Sequence, residues 1–311
     1  MSNRRTFIRQ SVIGSVGLMG FNGFPLDVFA KEELVKITIL STNDVHSHIE
    51  PFPMNDPKYA GLGGVSRRAA IIKKIRNETP NVLLLDAGDS FQGTPYFNFY
   101  GGELEFKLMS EMGYDASTIG NHDFDNGVTG LAKAMPHAKF PMLCANYDFS
   151  DTEMNGKTEP HKIFMKNGIK IGVFGIGIEL EGLVDKRMYG KTIFIDPMEM
   201  AEKTALYLKK EMNCDLVICL SHLGYKYESK KLSDIIFAES SKNIDFIIGG
   251  HTHTFLDKPS SHKNAEGKEV LVSQVGWAGL RLGKVDYYFQ KGKNKKVVEG
   301  SSMTVSENIF N

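Results

Sequence analysis

Aspartate, asparagine and histidine recur in five short clusters. They are Asn43-Asp44-Val45-His46, Asp86-Ala87-Gly88-Asp89, Gly120-Asn121-His122-Asp123, Ser221-His222 and Gly249-Gly250-His251-Thr252-His253. Carboxylates and imidazoles joined by an amide carbonyl suit intermediate divalent cations such as Mn, Fe, Co or Zn. An all-oxygen set would suit Mg or Ca instead. None of the clusters contains cysteine, which argues against a structural zinc site. Asp-x-His and His-x-His place alternate side chains on one side of an extended segment, so each pair offers two ligands to one centre or to adjacent centres. A lone pair of this kind carries little information, because such pairs also occur as ordinary surface or core polarity. The weight lies in the ordered set. Six of the nine histidines fall in or beside it, namely His46, His48, His122, His222, His251 and His253. His137, His161 and His262 read as surface or loop residues.

The elements that must position these residues follow from hydrophobic patterning. Apolar runs rich in β-branched residues at 35–40, 82–85, 169–176, 216–220 and 244–248 predict buried strands. A further strand is expected at 116–119. Each cluster therefore follows a strand, and the carboxyl ends of strands in α/β sheets form the ligand crevice. Glycines at 88, 120, 249 and 250 allow sharp turns and close backbone approach there. Helices are predicted at 66–76, at 104–112 with Gly113 as terminator, and from Asp196-Pro197, where Asp caps, Pro opens and Glu199 closes the first turn. The last of these presents Ala201, Ala205, Leu208 and Met212 at helical spacing. Segment 148–159 reads as a surface loop, and 291–296 as a Lys/Gly-rich hairpin turn between strands 282–289 and 296–298. No repeat or low-complexity tract interrupts the pattern, so 34–311 reads as one mixed α/β domain.

The 311 residues carry 37 basic and 37 acidic side chains, a balance that excludes a nucleic-acid polymer as the main partner but not a small anionic ligand. Three cysteines, Cys144, Cys214 and Cys219, are too few for a disulfide scaffold and read as buried thiols. Residues 1–30 have a basic head, an apolar Gly/Ser-bearing middle and small residues at Val28 and Ala30, the layout of an export signal cleaved after Ala30. Arg4-Arg5-Thr6-Phe7-Ile8 looks like the twin-arginine form, which places the mature chain in the periplasm or otherwise outside the cytoplasm. The apolar stretch is short and glycine-bearing, so no membrane span is expected after cleavage.

The order D-x-H, G-D, G-N-H-D, H, G-H-x-H resembles the calcineurin-like metallophosphoesterases, and more closely the catalytic domain of the 5′-nucleotidase/UDP-sugar hydrolase family. Supporting segments include Ser41–His48, Gly63-Gly64-Val65-Ser66-Arg67, Gly88–Pro95, Gly120–Asp125, Ser221–Gly224 and Gln274-Val275-Gly276, and the match runs over residues 36–290. The resemblance implies a four-layer αββα sandwich with two divalent metal ions. One would lie on Asp44, His46, Asp89 and His253, the other on Asp89, Asn121, His222 and His251, with Asp89 shared. His122 would be the catalytic histidine and Asp125 the carboxylate that orients it. The expected reaction is hydrolysis of a nucleotide phosphoester by water activated between the metals. Two alternatives share the centre: a hydrolase of sugar phosphates, cyclic phosphodiesters or a protein-bound thiosulfonate, and a metal-binding interaction subunit without catalysis. The family's second domain, which reads the nucleobase, is expected to be absent here, leaving either a separate subunit to supply it or a broader phosphatase. Arg67 and Arg68 read as structural or surface residues, and Tyr225 and Trp277 as packing residues near the substrate mouth.

Overall fold

The computed structural model describes residues 34–290 and 296–307; the expected export signal and the turn at 291–295 lie outside the described residues. Strand β1 (Leu34–Thr42) pairs in parallel with β2 (Val82–Asp86), and β2 with β3 (Ala116–Ser117). With the antiparallel pair β12 (Arg281–Gln290) and β13 (Lys296–Thr304), they form a five-stranded sheet in the order β13-β12-β1-β2-β3. A second, six-stranded sheet has a parallel centre of β6 (Ile169–Ile176), β8 (Leu216–Ser221), β9 (Phe246–Gly249) and β11 (Glu269–Ser273). Its edges are the antiparallel strands β5 (His161–Lys166) and β10 (Ser260–Lys263).

Alternation along each strand builds the layers. Ile37, Ile39, Leu83 and Leu85 pack against Val173, Ile218, Leu220 and Phe246 of the other sheet. Leu40 and Leu84, one residue out of phase, pack on Ile71 and Ile72 of α1 (Val65–Glu78) and on Phe106 and Met109 of α3 (Glu103–Met112). On the far side, Phe174, Val217, Cys219 and Ile247 meet Ala201 and Ala205 of α6 (Pro197–Leu206) and Phe237 of α7 (Asp234–Ser240). Central strands buried on both faces require cover on both, and the result is helix, sheet, sheet, helix, the expected four-layer sandwich. The remaining helices are α2 (Pro95–Tyr100), α4 (Gly127–Ala134) and α5 (Lys186–Tyr189). A small ribbon pairs β4 (Tyr147–Asp148) with β7 (Ile193–Phe194).

Local signals hold at several termini. The Asp196 carboxylate accepts from Glu199 N at 2.9 Å, and Gly113 ends α3 at φ 73°, with Tyr114 N donating to Met109 O. All three cysteines are buried and free. Other expectations need correction. The helix from Pro197 is α-helical only to Leu206, and Tyr207–Glu211 forms a π turn that still seats Leu208 in the core. Strand 116–119 is only Ala116–Ser117, because the chain then leaves the sheet to carry Gly120 against Asp89. His161 and His262, read as surface or loop residues, stand partly exposed in the edge strands β5 and β10.

Candidate metal centre

The five clusters meet at one end of both sheets. Asp44 and His46 leave the end of β1, Asp89 leaves β2, Asn121 follows β3, His222 directly follows β8, and His251 and His253 follow β9. Two of these loops are bonded together: Asp44 N donates to Gly88 O (2.9 Å), His46 N to Asp89 O (3.0 Å) and Ser47 N to Ser90 O (2.9 Å). Asp44, His46, Asp89, His251 and His253 all hold positive φ, between 49° and 72°. Non-glycine residues in that region cost energy, and so many at one place mark a constellation imposed by its surroundings. Glycine is required where backbone passes behind a donor: a Cβ on Gly120 would stand 2.2 Å from Asp89 Oδ1, and one on Gly250 2.8 Å from His222 Nδ1.

The donors form two groups, Asp44–His46–His253 and Asp89–His222–His251, each with its ligand atoms within 4.8 Å of one another. Both carboxylates reach across. Asp44 Oδ1 lies 3.4 Å from His253 Nε2 and 3.9 Å from His222 Nε2, while Asp89 Oδ2 lies 3.0 Å from His222 Nε2 and 3.9 Å from His46 Nε2. Asn121 Oδ1 stands 2.8 Å from His251 Nδ1, so it joins the second group.

These residues fit a pair of divalent cations. The Nε2 atoms of His46 and His253 face each other at 3.0 Å, and His222 Nε2 is buried without a directed hydrogen bond. Imidazole nitrogens converging on two carboxylates, with no other polar partner for one of them, supply lone pairs for a cation. Electrostatics point the same way. Burial opposes charge on His222, yet Asp89 and Asp44 outweigh it and hold the ring up at about 10. The pocket thus draws positive charge onto its most buried base. His46 and His251, where burial dominates, are lowered, His251 to about 4, and stay neutral donors.

Beside both groups stands His122. Its backbone N–H donates to Asp89 Oδ1 (2.7 Å), its ring meets that of His46 edge-on at 5.2 Å, and its Nδ1 lies 2.8 Å from Asp125 Oδ2. The hydrogen bond to Asp125 raises the His122 pKa against the opposing effect of burial. Asp125 therefore holds the ring with Nδ1 as donor and leaves Nε2 open, favouring the imidazolium.

Every residue assigned to the site from sequence is brought together here. His48 is not in either group; it stacks on Phe52 at 5.0 Å, and burial lowers it to about 4. Arg67 ion-pairs with Glu307 at 2.5 Å, and Arg68 is buried against Gly279, structural positions as expected. Tyr225 N bonds to the Thr252 hydroxyl, a packing role. Three supports had no assigned role. Asp123 accepts from the backbone N–H groups of Asp89 (3.1 Å), Ser90 (3.0 Å), Phe91 (3.3 Å) and Gly120 (2.8 Å), lacing the second and third loops together. Asn43 receives Val275 N (2.9 Å) and donates to Gly276 O (2.6 Å). Gln274 accepts from the Thr252 hydroxyl (3.0 Å) and Thr254 N, and donates to Gly250 O. The one usable signal was polarity without charge balance at a strand end, as at Gln274 after the apolar β11.

This architecture, a two-sheet sandwich with Asp, Asn and His clustered at the strand ends, defines a class. The chain belongs to the calcineurin-like phosphoesterases, whose family model matches residues 37–255. It is 34% identical over 295 residues to a snake venom 5′-nucleotidase of Gloydius brevicauda, covering 88% of this chain and 49% of that protein. Among solved structures, it is similar to a 5′-nucleotidase precursor from Thermus thermophilus, with 31% identity and a TM-score of 0.79 over 89% of this chain and 57% of that one. It is also similar to an NAD nucleotidase of Haemophilus influenzae, with 28% identity and a TM-score of 0.77 over 88% and 57%. The chain spans about half the length of the curated relatives it matches. No helix among the described residues is long and apolar enough to cross a membrane.

Proposed function

We propose that residues 34–311 form a catalytic domain that hydrolyses nucleotide phosphomonoesters with the help of two divalent metal ions. The observation that carries this is the pair of three-donor groups cross-linked by Asp44 and Asp89, with the His122–Asp125 pair alongside. Asp44, His46, Asp89 and His253 would hold one ion, and Asp89, Asn121, His222 and His251 the other. When bound, the ions supply Lewis-acid activation of water and neutralise charge on the phosphoryl oxygens. Mn, Fe, Co and Zn all suit this donor set.

The chain's own residues do the rest. Asp125 fixes the His122 ring and raises its pKa, favouring the protonated form. His122 Nε2, the nitrogen not engaged by Asp125, would stabilise charge on the phosphoryl group and give its proton to the departing alkoxide. Asp123 and the Asn43–Gln274 clamp hold the loops so that no ligand must be reorganised during the reaction.

The nucleotide class rests on likeness to the 5′-nucleotidases and the NAD nucleotidase. Export through the twin-arginine signal at Arg4-Arg5 belongs to the same reading, and replacing both with Lys should keep the protein in the cytoplasm. The deciding experiment strips the protein of metal, reloads it with Mn, Co or Zn, and assays nucleoside monophosphates against sugar phosphates, cyclic phosphodiesters and aryl phosphates. Recovery with metal and preference for nucleotides supports the proposal. Metal-dependent turnover confined to aryl esters would keep the chemistry and remove the nucleotide assignment.

A further inference from the structure

His253 is more exposed than His46 or His222, its side chain 39% accessible against 6% and none. It stands four residues beyond the end of β9, in a left-handed conformation at φ 51°. Its Nε2 faces His46 and Asp44. Trp277 stacks nearly parallel on its ring at 5.7 Å with 5° between planes. The indole is wedged in turn, edge-on to His48 at 5.2 Å, Phe52 at 6.0 Å and Tyr59 at 6.3 Å. Its backbone is tied to the first group as well: the next residue, Ala278, donates to Asp44 O at 2.7 Å, and the segment before it is clamped by Asn43.

From this geometry we infer that Trp277 is a positioning residue that sets the ring of His253, and so selectively supports the metal held by Asp44, His46 and His253. The stack does for His253 what a carbonyl does for His222, whose Nδ1 is held at 2.7 Å by Ala87 O. Offset parallel stacking restricts ring tilt without occupying a nitrogen, leaving both nitrogens of His253 free for other partners. The inference rests on the two-metal reading above. Trp277 is also the only tryptophan in the chain, so its emission reports on this one place.

The test uses the mature, metal-stripped protein titrated with Co(II), whose open d shell quenches an adjacent indole. Calorimetry counts the ions bound, and Trp277 emission follows the titration. We expect emission to fall with only one of two bound equivalents. Trp277→Leu should weaken one equivalent by about 10–100-fold and leave the other unchanged. Trp277→Phe, which restores a flat face, should recover most of that loss. Unchanged emission through two bound equivalents, or a Leu variant binding both as the parent does, would overturn the inference while leaving the metal centre standing. If Leu loses both equivalents along with its fold, the Phe variant decides: recovered binding supports the stack, and an equal loss refutes it. A parent protein that binds no Co(II) would remove the two-metal reading and this inference together.

Discussion

The two donor groups are built from the same residue types but are held in different ways. Asp89–His222–His251 is anchored by the sheet. His222 is the first residue past β8, its backbone N–H donates to Ile176 O at 2.8 Å, and its ring is pinned on Ala87 O. Asp89 and His222 are almost wholly buried. In Asp44–His46–His253 both histidines stand four residues past their strands; His46 is held on Phe91 O at 3.1 Å, and part-exposed His253 by ring stacking. A ligand adjacent to a strand inherits the rigidity of the hydrogen-bonded ladder. His253, four residues out and stacked on an indole, depends on a side chain for its hold, and this second kind of support is the easier to remove.

Asp89 is the point at which the two groups cannot be separated, so breaking it should have the largest effect. Asp89→Asn is expected to lower turnover on the order of 10³-fold and bring bound metal below two per chain, checked by steady-state assay and elemental analysis. Full activity with two metals bound would show that Asp89 is not shared. His122 stands between the groups but belongs to neither. His122→Asn should cost about 10²-fold on alkyl phosphates and far less on aryl phosphates, whose leaving groups need no proton. Equal losses on both would remove the acid role.

The difference in anchoring predicts a difference in tolerance. Gly120→Ala drives a Cβ into the Asp89 carboxylate and should destabilise the protein by about 1–3 kcal/mol in a denaturant melt and weaken both metals, since Asp89 serves both groups. Chelator treatment of the unmutated protein should release the metal on part-exposed His253 first, giving two kinetic phases; a single phase would mean the groups are equally held. The smallest effect concerns pH. If His122 acts as the proposed acid, its active form is protonated; Asp125 raises its pKa, so activity present below that raised value should be lost as pH rises through it. Asp125→Asn removes the cause and should move the alkaline fall in kcat toward lower pH. An unmoved profile would separate Asp125 from His122.

Much of this was legible in the chain. Strand-forming runs and the clusters after them are local features, since period-two burial and strand-end turns are written in neighbouring residues. So was the cap at Asp196, where the chemistry needs only four consecutive residues. The π turn at Tyr207–Glu211 and the two-residue length of β3 were not, because packing against distant elements decided them.

The sequence by itself determined the donor inventory, the order of the clusters and the class of cation they suit, because ligand chemistry and strand patterning are properties of residue type and short-range spacing. Only the tertiary structure decided which donors face each other. His46 meets His253 across 207 positions and Asn121 meets His251 across 130, pairings set by strand order in two stacked sheets. It also decided that His48 packs on Phe52 instead of joining a donor group, that Asp123 laces two loops, and that Trp277 lies on His253. Those outcomes depend on distances between segments far apart in the chain, which local spacing does not encode.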